Sequence, residues 1–160
     1  DEAQSAIGVA RAQAAAAVPD GVAVADTADE LVQLLVRIER DLWVAMSELA
    51  TASGNRHKLS AGTSLVTESM VSDLEATIDD VMGRFEAPRE FVVPGETVVA
   101  AHLDVARTVV RRAERSALSA AEDGSQVVPY LNRLSDLLWA LARWQEGRSR
   151  TTRSVNDGSS

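Results

Sequence analysis

An all-α, up-and-down bundle of five helices is predicted by three features of the chain. Apolar residues recur at three- and four-residue spacing in five separate stretches, as in helices that bury one face. The breaks between those stretches carry Pro, Gly, Asp and Ser. No stretch alternates apolar with polar residues as a half-buried strand does. Short loops make consecutive helices antiparallel neighbours.

The first helix starts at once, DEAQSAIG, with Ala6, Ile7, Ala10, Ala14 and Ala17 at helical spacing, and Pro19-Asp20-Gly21 ends it. Thr27-Ala28-Asp29-Glu30 has the form of a capping box and announces the second helix. Its heptad-like stripe of Leu31, Leu35, Ile38, Leu42, Ala45 and Leu49 predicts burial inside a bundle. Residues 53–65, SGNRHKLSAGTSL, mix Gly, Ser, Asn and cations without period and read as a loop that includes His57. Thr67 then caps a third helix to about Phe85, with Met70, Leu74, Ile78, Val81 and Met82 inward and Pro88 as its stop.

The fourth stretch, FVVPGETVVAAHLDVARTVVRRAER (residues 91–115), organises the rest. It opens on the apolar turn Phe91-Val92-Val93-Pro94-Gly95, and Thr97 caps the helix that follows. Arg107, Arg111 and Glu114 fall at i, i+4 and i+7 on one face; Ala106, Val109, Val110 and Ala113 supply an apolar one. Two guanidiniums on one face suit phosphate oxygens, with Glu114 placed to accept from a ribose hydroxyl or to offset their repulsion. The same charges also read as a solvated face of i,i+3 and i,i+4 pairs. Phe91 likewise reads either as core between helices or as a ligand contact. The last helix runs from Val127 to Trp144 with Leu131, Leu134, Leu138 and Leu141 buried and Asn132, Ser135, Asp136 and Trp139 on a neighbouring polar face. One helical domain thus spans residues 1–146, and residues 147–160, lacking an apolar anchor, read as a disordered tail.

Composition narrows the function classes. At 160 residues and 46% hydrophobic the chain suffices for one sizeable core, and with aromatics at 4% that core must be Ala, Val and Leu. A net charge of −8 argues against duplex nucleic acid as a partner. Without cysteine there is no thiolate metal site, and two histidines with no Glu-x-x-His pair argue against a di-iron bundle. No apolar run reaches the roughly 20 residues of a membrane span and no signal peptide is visible, which predicts a cytoplasmic protein without a membrane partner.

PGETVVAAHLDVARTVVRRAER (residues 94–115) followed by YLNRLSDLLW (residues 130–139) resembles the ATP:cob(I)alamin adenosyltransferases of the propanediol-utilisation (PduO) type. The resemblance implies transfer of the 5′-deoxyadenosyl group of ATP to the cobalt of cob(I)alamin, giving adenosylcobalamin and triphosphate. It implies ATP, magnesium and cobalamin as ligands, a homotrimer with sites between subunits, and an adenosylcobalamin-dependent enzyme as acceptor of the product. Residue by residue, Phe91 would press on the lower face of the corrinoid, Arg107 would pair with Asp1 across the subunit interface, and Arg111, Glu114 and Asn132 would hold ATP, Asn132 also contacting its magnesium.

Four departures stand beside it. The family's Asp-Glu-Leu-Asn is Asp1-Glu2-Ala3-Gln4, Met46 stands where glycine is usual, and Pro-Gly-Gly-Ser is Pro94-Gly95-Glu96-Thr97, which brings a carboxylate to the corrinoid turn. The family's Gly-rich Thr-Gly-Asp segment is expected upstream of Asp1. These departures leave room for a corrinoid-binding relative without turnover, and the arginines by themselves for a helical interaction protein.

Overall fold

The computed structural model describes residues 1–16 and 25–152. Five α-helices follow one another, α1 (Glu2–Ala16), α2 (Ala25–Ala50), α3 (Glu68–Met82), α4 (Val98–Ala117) and α5 (Val127–Glu146), with a 3-10 turn at Ser53–Lys58. The predicted all-α bundle is what forms. α4 packs on α5 and α1, α2 on α1, and α3 on α5.

Small side chains let these helices approach closely. Ala3, Ala10 and Ala14 of α1 meet a core that includes Ala100, Ala106 and Ala117 of α4 and Ala140 and Ala142 of α5. Leu31, Leu35, Ile38, Leu103, Leu134, Leu138 and Leu141 fill the space between, each worth about 1.5–3 kcal/mol when fully buried. α5 is buried around most of its girth, which is why its Tyr130 is wholly enclosed. That phenol donates to Asp41 Oδ2 at 3.3 Å. Burial raises the Asp41 carboxyl above its ordinary 3.8 and, with the nearby carboxylate, raises the phenol as well.

Glu48, on α2, is a buried carboxylate with every need met. It accepts from Arg56 Nη2 (2.9 Å), the Val66 amide (2.8 Å) and Ser125 Oγ (2.6 Å), tying the 53–66 loop and the α4–α5 turn to the bundle. At the other end Arg84 grips Glu30 with two hydrogen bonds of 2.8 and 2.7 Å, which hold that carboxyl below its usual range, and its guanidinium lies 5.0 Å from the Trp144 ring.

The predicted caps at Thr67 and Thr97 form, accepting from the amides of Met70 and Ala100 at 3.3 and 3.1 Å. Other boundaries differ. α2 begins at Ala25, so Thr27 lies inside its first turn rather than before it. α3 stops at Met82 because Gly83 caps it, short of Phe85. Pro19-Asp20-Gly21 and Ala17 lie outside the described residues.

The expectation of a free tail from residue 147 is also corrected for its first residues. Gly147, at φ 66°, turns the chain out of α5, and residues 150–152 pair with the Phe91 turn in an antiparallel bridge. The Val93 amide donates to Arg150 O (2.8 Å) and the Thr152 amide to Phe91 O (2.9 Å). The anchor is backbone pairing, which an apolar count does not reveal. Residues 153–160 lie outside the described residues.

Candidate functional site

The charged face of α4 meets the polar face of α5, and the residues singled out above fall into two clusters along it. In the first, Glu114 is the hub. Arg111 Nη1 donates to its Oε2 at 2.7 Å, and Asn132 Nδ2, from α5, donates to its Oε1 at 2.8 Å. Arg133 Nη2 donates to Asn132 Oδ1 (2.6 Å) and pairs with Asp136 (3.1 Å). Glu114 is thus oriented by two helices and only 13% exposed at its side chain, whereas Arg111 is 44% exposed and has further N–H donors besides the one given to Glu114. The Arg111–Glu114 contact is the i,i+3 pair of a solvated face; the Asn132 bond across helices goes beyond that reading.

One turn nearer the start of α4, Arg107 lines the second cluster. Here a cleft of about 500 Å3 is bounded by Phe91, Pro94, Asp104, Arg107, Trp139 and Arg143 among others. Its floor is charged. Asp104 is 5% exposed; it accepts from Arg143 Nη2 at 2.5 Å and lies 3.6 Å from Arg107 Nε. Arg143, itself buried, also donates to Glu146 Oε1 at 2.8 Å and lies 5.9 Å from the Trp139 ring. The Nε atoms of Arg107 and Arg143 are buried without a hydrogen-bond partner among the described residues. Phe91 stands at the lip, 87% exposed, so the core-packing alternative for it is excluded.

Asp1 is elsewhere. It lines an apolar groove with Met46, Leu49, Ala113 and Ala117, beside the last turns of α4, while Glu2 pairs with Arg112. Ten residues of helix separate Arg107 from Ala117, about 15 Å of rise. Within one chain, therefore, Arg107 meets Asp104 and not Asp1.

Several site residues escaped the sequence reading. Asp104 and Arg143 occupy buried registers of α4 and α5, and a charge on an apolar stripe was the signal available. Glu96, noted only as a departure, forms an ion pair with Arg150 (Oε1 to Nε, 2.8 Å). Among the described residues no three His, Asp or Glu side chains gather as a metal cage, and none of the helices is long and apolar enough to cross a membrane.

Comparison with known proteins adds independent findings. A family described as cobalamin adenosyltransferase matches residues 1–145. A corrinoid adenosyltransferase of Mycobacterium tuberculosis is 36% identical over 165 aligned residues, covering 94% of this chain and 79% of its own length. The corrinoid adenosyltransferase PduO of Salmonella typhimurium is 37% identical over 116 residues, covering 71% of this chain and 34% of its own. A solved structure of a variant PduO-type ATP:corrinoid adenosyltransferase from Lactobacillus reuteri, complexed with cobalamin and ATP, superposes with a TM-score of 0.75 at 29% identity, covering 96% of this chain and 81% of that one.

Proposed function

The chain belongs to the cobalamin adenosyltransferase family, and from that membership we infer that it is an ATP:corrinoid adenosyltransferase, moving the 5′-deoxyadenosyl group of ATP to the cobalt of cob(I)alamin and releasing triphosphate. The observation that carries the reading is the continuity of the two clusters. The Phe91 cleft runs to Arg107, Arg111 and Glu114 follow along the same face of α4, and Asn132 of α5 meets Glu114 there.

The chemistry asks little covalent help of the protein. The electron pair of Co(I) attacks the 5′-carbon, a Co–C bond forms, and the C5′–O bond breaks with its pair leaving on triphosphate. No side-chain nucleophile is required. The protein has to hold the 5′-carbon against cobalt and meet the charge that develops on the leaving group. Arg111 meets that charge, since Glu114 holds one edge of its guanidinium and the remaining donors reach phosphate oxygens. Glu114 and Asn132 take the nucleotide itself. Asn132 Oδ1, which here accepts from Arg133 at 2.6 Å, and the Glu114 carboxylate would be the protein oxygens for a magnesium ion carried by the phosphates, whose charge would offset that of triphosphate.

Phe91, exposed at the lip of the cleft, fills the volume below the corrin and excludes both water and the nucleotide-loop base, so that Co(II) without a lower ligand is reduced more easily. Arg107 pairs with Asp1 of a neighbouring copy in a homotrimer, a reading favoured by their separation within one chain. The product passes to an adenosylcobalamin-dependent enzyme in the cytoplasm.

The test supplies cob(II)alamin, magnesium, ATP and a reductant and follows the corrinoid spectrum. Conversion to adenosylcobalamin with stoichiometric triphosphate is expected. A spectral shift without product would leave a corrinoid-binding relative, and no shift at all would leave a helical interaction protein.

A further inference from the structure

Glu96 has no part in the reaction just described, yet it lies five residues from Phe91, on the loop between α3 and α4. An aromatic that is 87% exposed gains no packing that would fix its place, and the loop around it carries Gly95 at φ 118° and no helix of its own. What holds this loop comes from beyond α5. Residues 150–152 pair with residues 91–93 through the two backbone hydrogen bonds described above, and Arg150 Nε meets Glu96 Oε1 at 2.8 Å on the far side of the Pro94-Gly95 turn. The same segment is anchored at its root. Ser149 Oγ donates at 2.8 Å to Glu146 Oε2, while the other oxygen of that carboxylate takes Arg143, the partner of Asp104 under the cleft.

We propose that residues 149–152 form a strap joining the two walls of the cleft, in which Arg150 and Glu96 are positioning residues that set where Phe91 stands against the corrinoid. The proposal rests on the functional reading above and extends it to a pair of residues that touch neither ligand. It also explains the carboxylate at residue 96: it pairs with Arg150, so its charge is met within the chain. The chemistry follows from the connection. A loop tied at its backbone and at one ion pair presents the ring in one place, and an untied loop presents it in many, with water reaching the lower face of cobalt in most of them.

The experiment compares the parent protein with Glu96→Ala, Arg150→Ala, Thr152→Pro and the exchange variant Glu96→Arg with Arg150→Glu. Thr152→Pro removes the amide that donates to Phe91 O. Three quantities are read: amide hydrogen exchange at Val93, the four-coordinate Co(II) signal of cob(II)alamin with ATP by electron paramagnetic resonance, and KM for each substrate. Exchange at Val93 should quicken in all three single variants and the four-coordinate signal should shrink. KM for cob(II)alamin should rise about two- to fivefold for either half of a largely exposed ion pair, with KM for ATP unchanged. The exchange variant should recover the signal. Melting temperature serves as control, since an unfolding variant would raise both KM values together. Parent-like Val93 exchange and corrinoid KM in Arg150→Ala and Thr152→Pro would overturn the strap. Absence of the four-coordinate signal in the parent protein itself would overturn the functional reading, and the strap's role with it, even if Val93 exchange responded.

Discussion

Arg111, Glu114 and Asn132 stand on two helices whose opposite faces are core, while Phe91, upstream of all three, stands on a loop with nearly all of its ring in solvent. The first group is held by what surrounds it: Ala113, Ala117, Leu131 and Leu134 bury the helices, and side chains then reach one another across a fixed spacing. Phe91 is held by a segment some 60 residues later in sequence, through two backbone hydrogen bonds and one ion pair. Helix-borne positioning is therefore rigid and local, suited to a small charged ligand that must be gripped at defined atoms. Loop-borne positioning is long-range, set by partners distant in sequence, and suits a ring that must stand clear of the core.

The largest expected effect probes the rigid side. Arg143→Ala leaves the Glu146 carboxylate buried without its cation and Asp104 with only the more distant Arg107 at 3.6 Å, and breaking such a buried pair costs of the order of 3–5 kcal/mol. Urea unfolding should show the loss as a lowered midpoint with little change in slope. A cost under about 1 kcal/mol, the range of an exposed pair, would mean that the charged floor is solvated and that the helix-borne wall owes its rigidity to the apolar core alone.

The same contrast separates what the sequence announced from what it concealed. Helical spacing put Arg107, Arg111 and Glu114 on one face of α4 and Asn132 on a polar face of α5, because a helix converts sequence distance into direction without help from the rest of the chain. The leucine stripes of α2 and α5 were legible for that reason. Glu48 was not, since its partners Arg56, Val66 and Ser125 arrive from two later segments and make burial of a carboxylate possible. The strap was invisible on the same grounds: residues 147–152 have no apolar anchor, and the pairing that orders them uses backbone groups that every sequence possesses. Arg107 illustrates the limit. Its face was read correctly, but its partner within the chain is Asp104, and the expected pairing with Asp1 needs a second copy.

A middle-sized effect is expected at Arg111. Lysine keeps the charge but replaces a planar fork, one edge of which Glu114 already orients, with a single ammonium. Arg111→Lys should raise the ATP requirement about tenfold, equivalent to roughly 1.4 kcal/mol, with corrinoid KM little changed. Because the residue is 44% exposed, thermal stability should stay near that of the parent. Kinetics equal to the parent's would return Arg111 to the role of an i,i+3 partner on a solvated face and dissolve the distinction between the two regions.

The smallest effect on stability, and the sharpest on function, belongs to Phe91→Ala. A ring 87% exposed removes almost no apolar surface from water, so its loss should shift unfolding by no more than about 0.5 kcal/mol. A buried Phe would cost about 3–5 kcal/mol for the same change, a gap wide enough for one denaturation curve to decide. In contrast, the four-coordinate Co(II) species should largely vanish, and turnover should fall further from cob(II)alamin than from cob(I)alamin supplied already reduced, because only the former depends on an empty lower face. Arg111→Lys gives the opposite pattern, a defect in ATP use that is the same from either corrinoid. If both variants lost activity equally from both corrinoids, the loop and the helices would be acting as one unit, and the division of labour between them would fail.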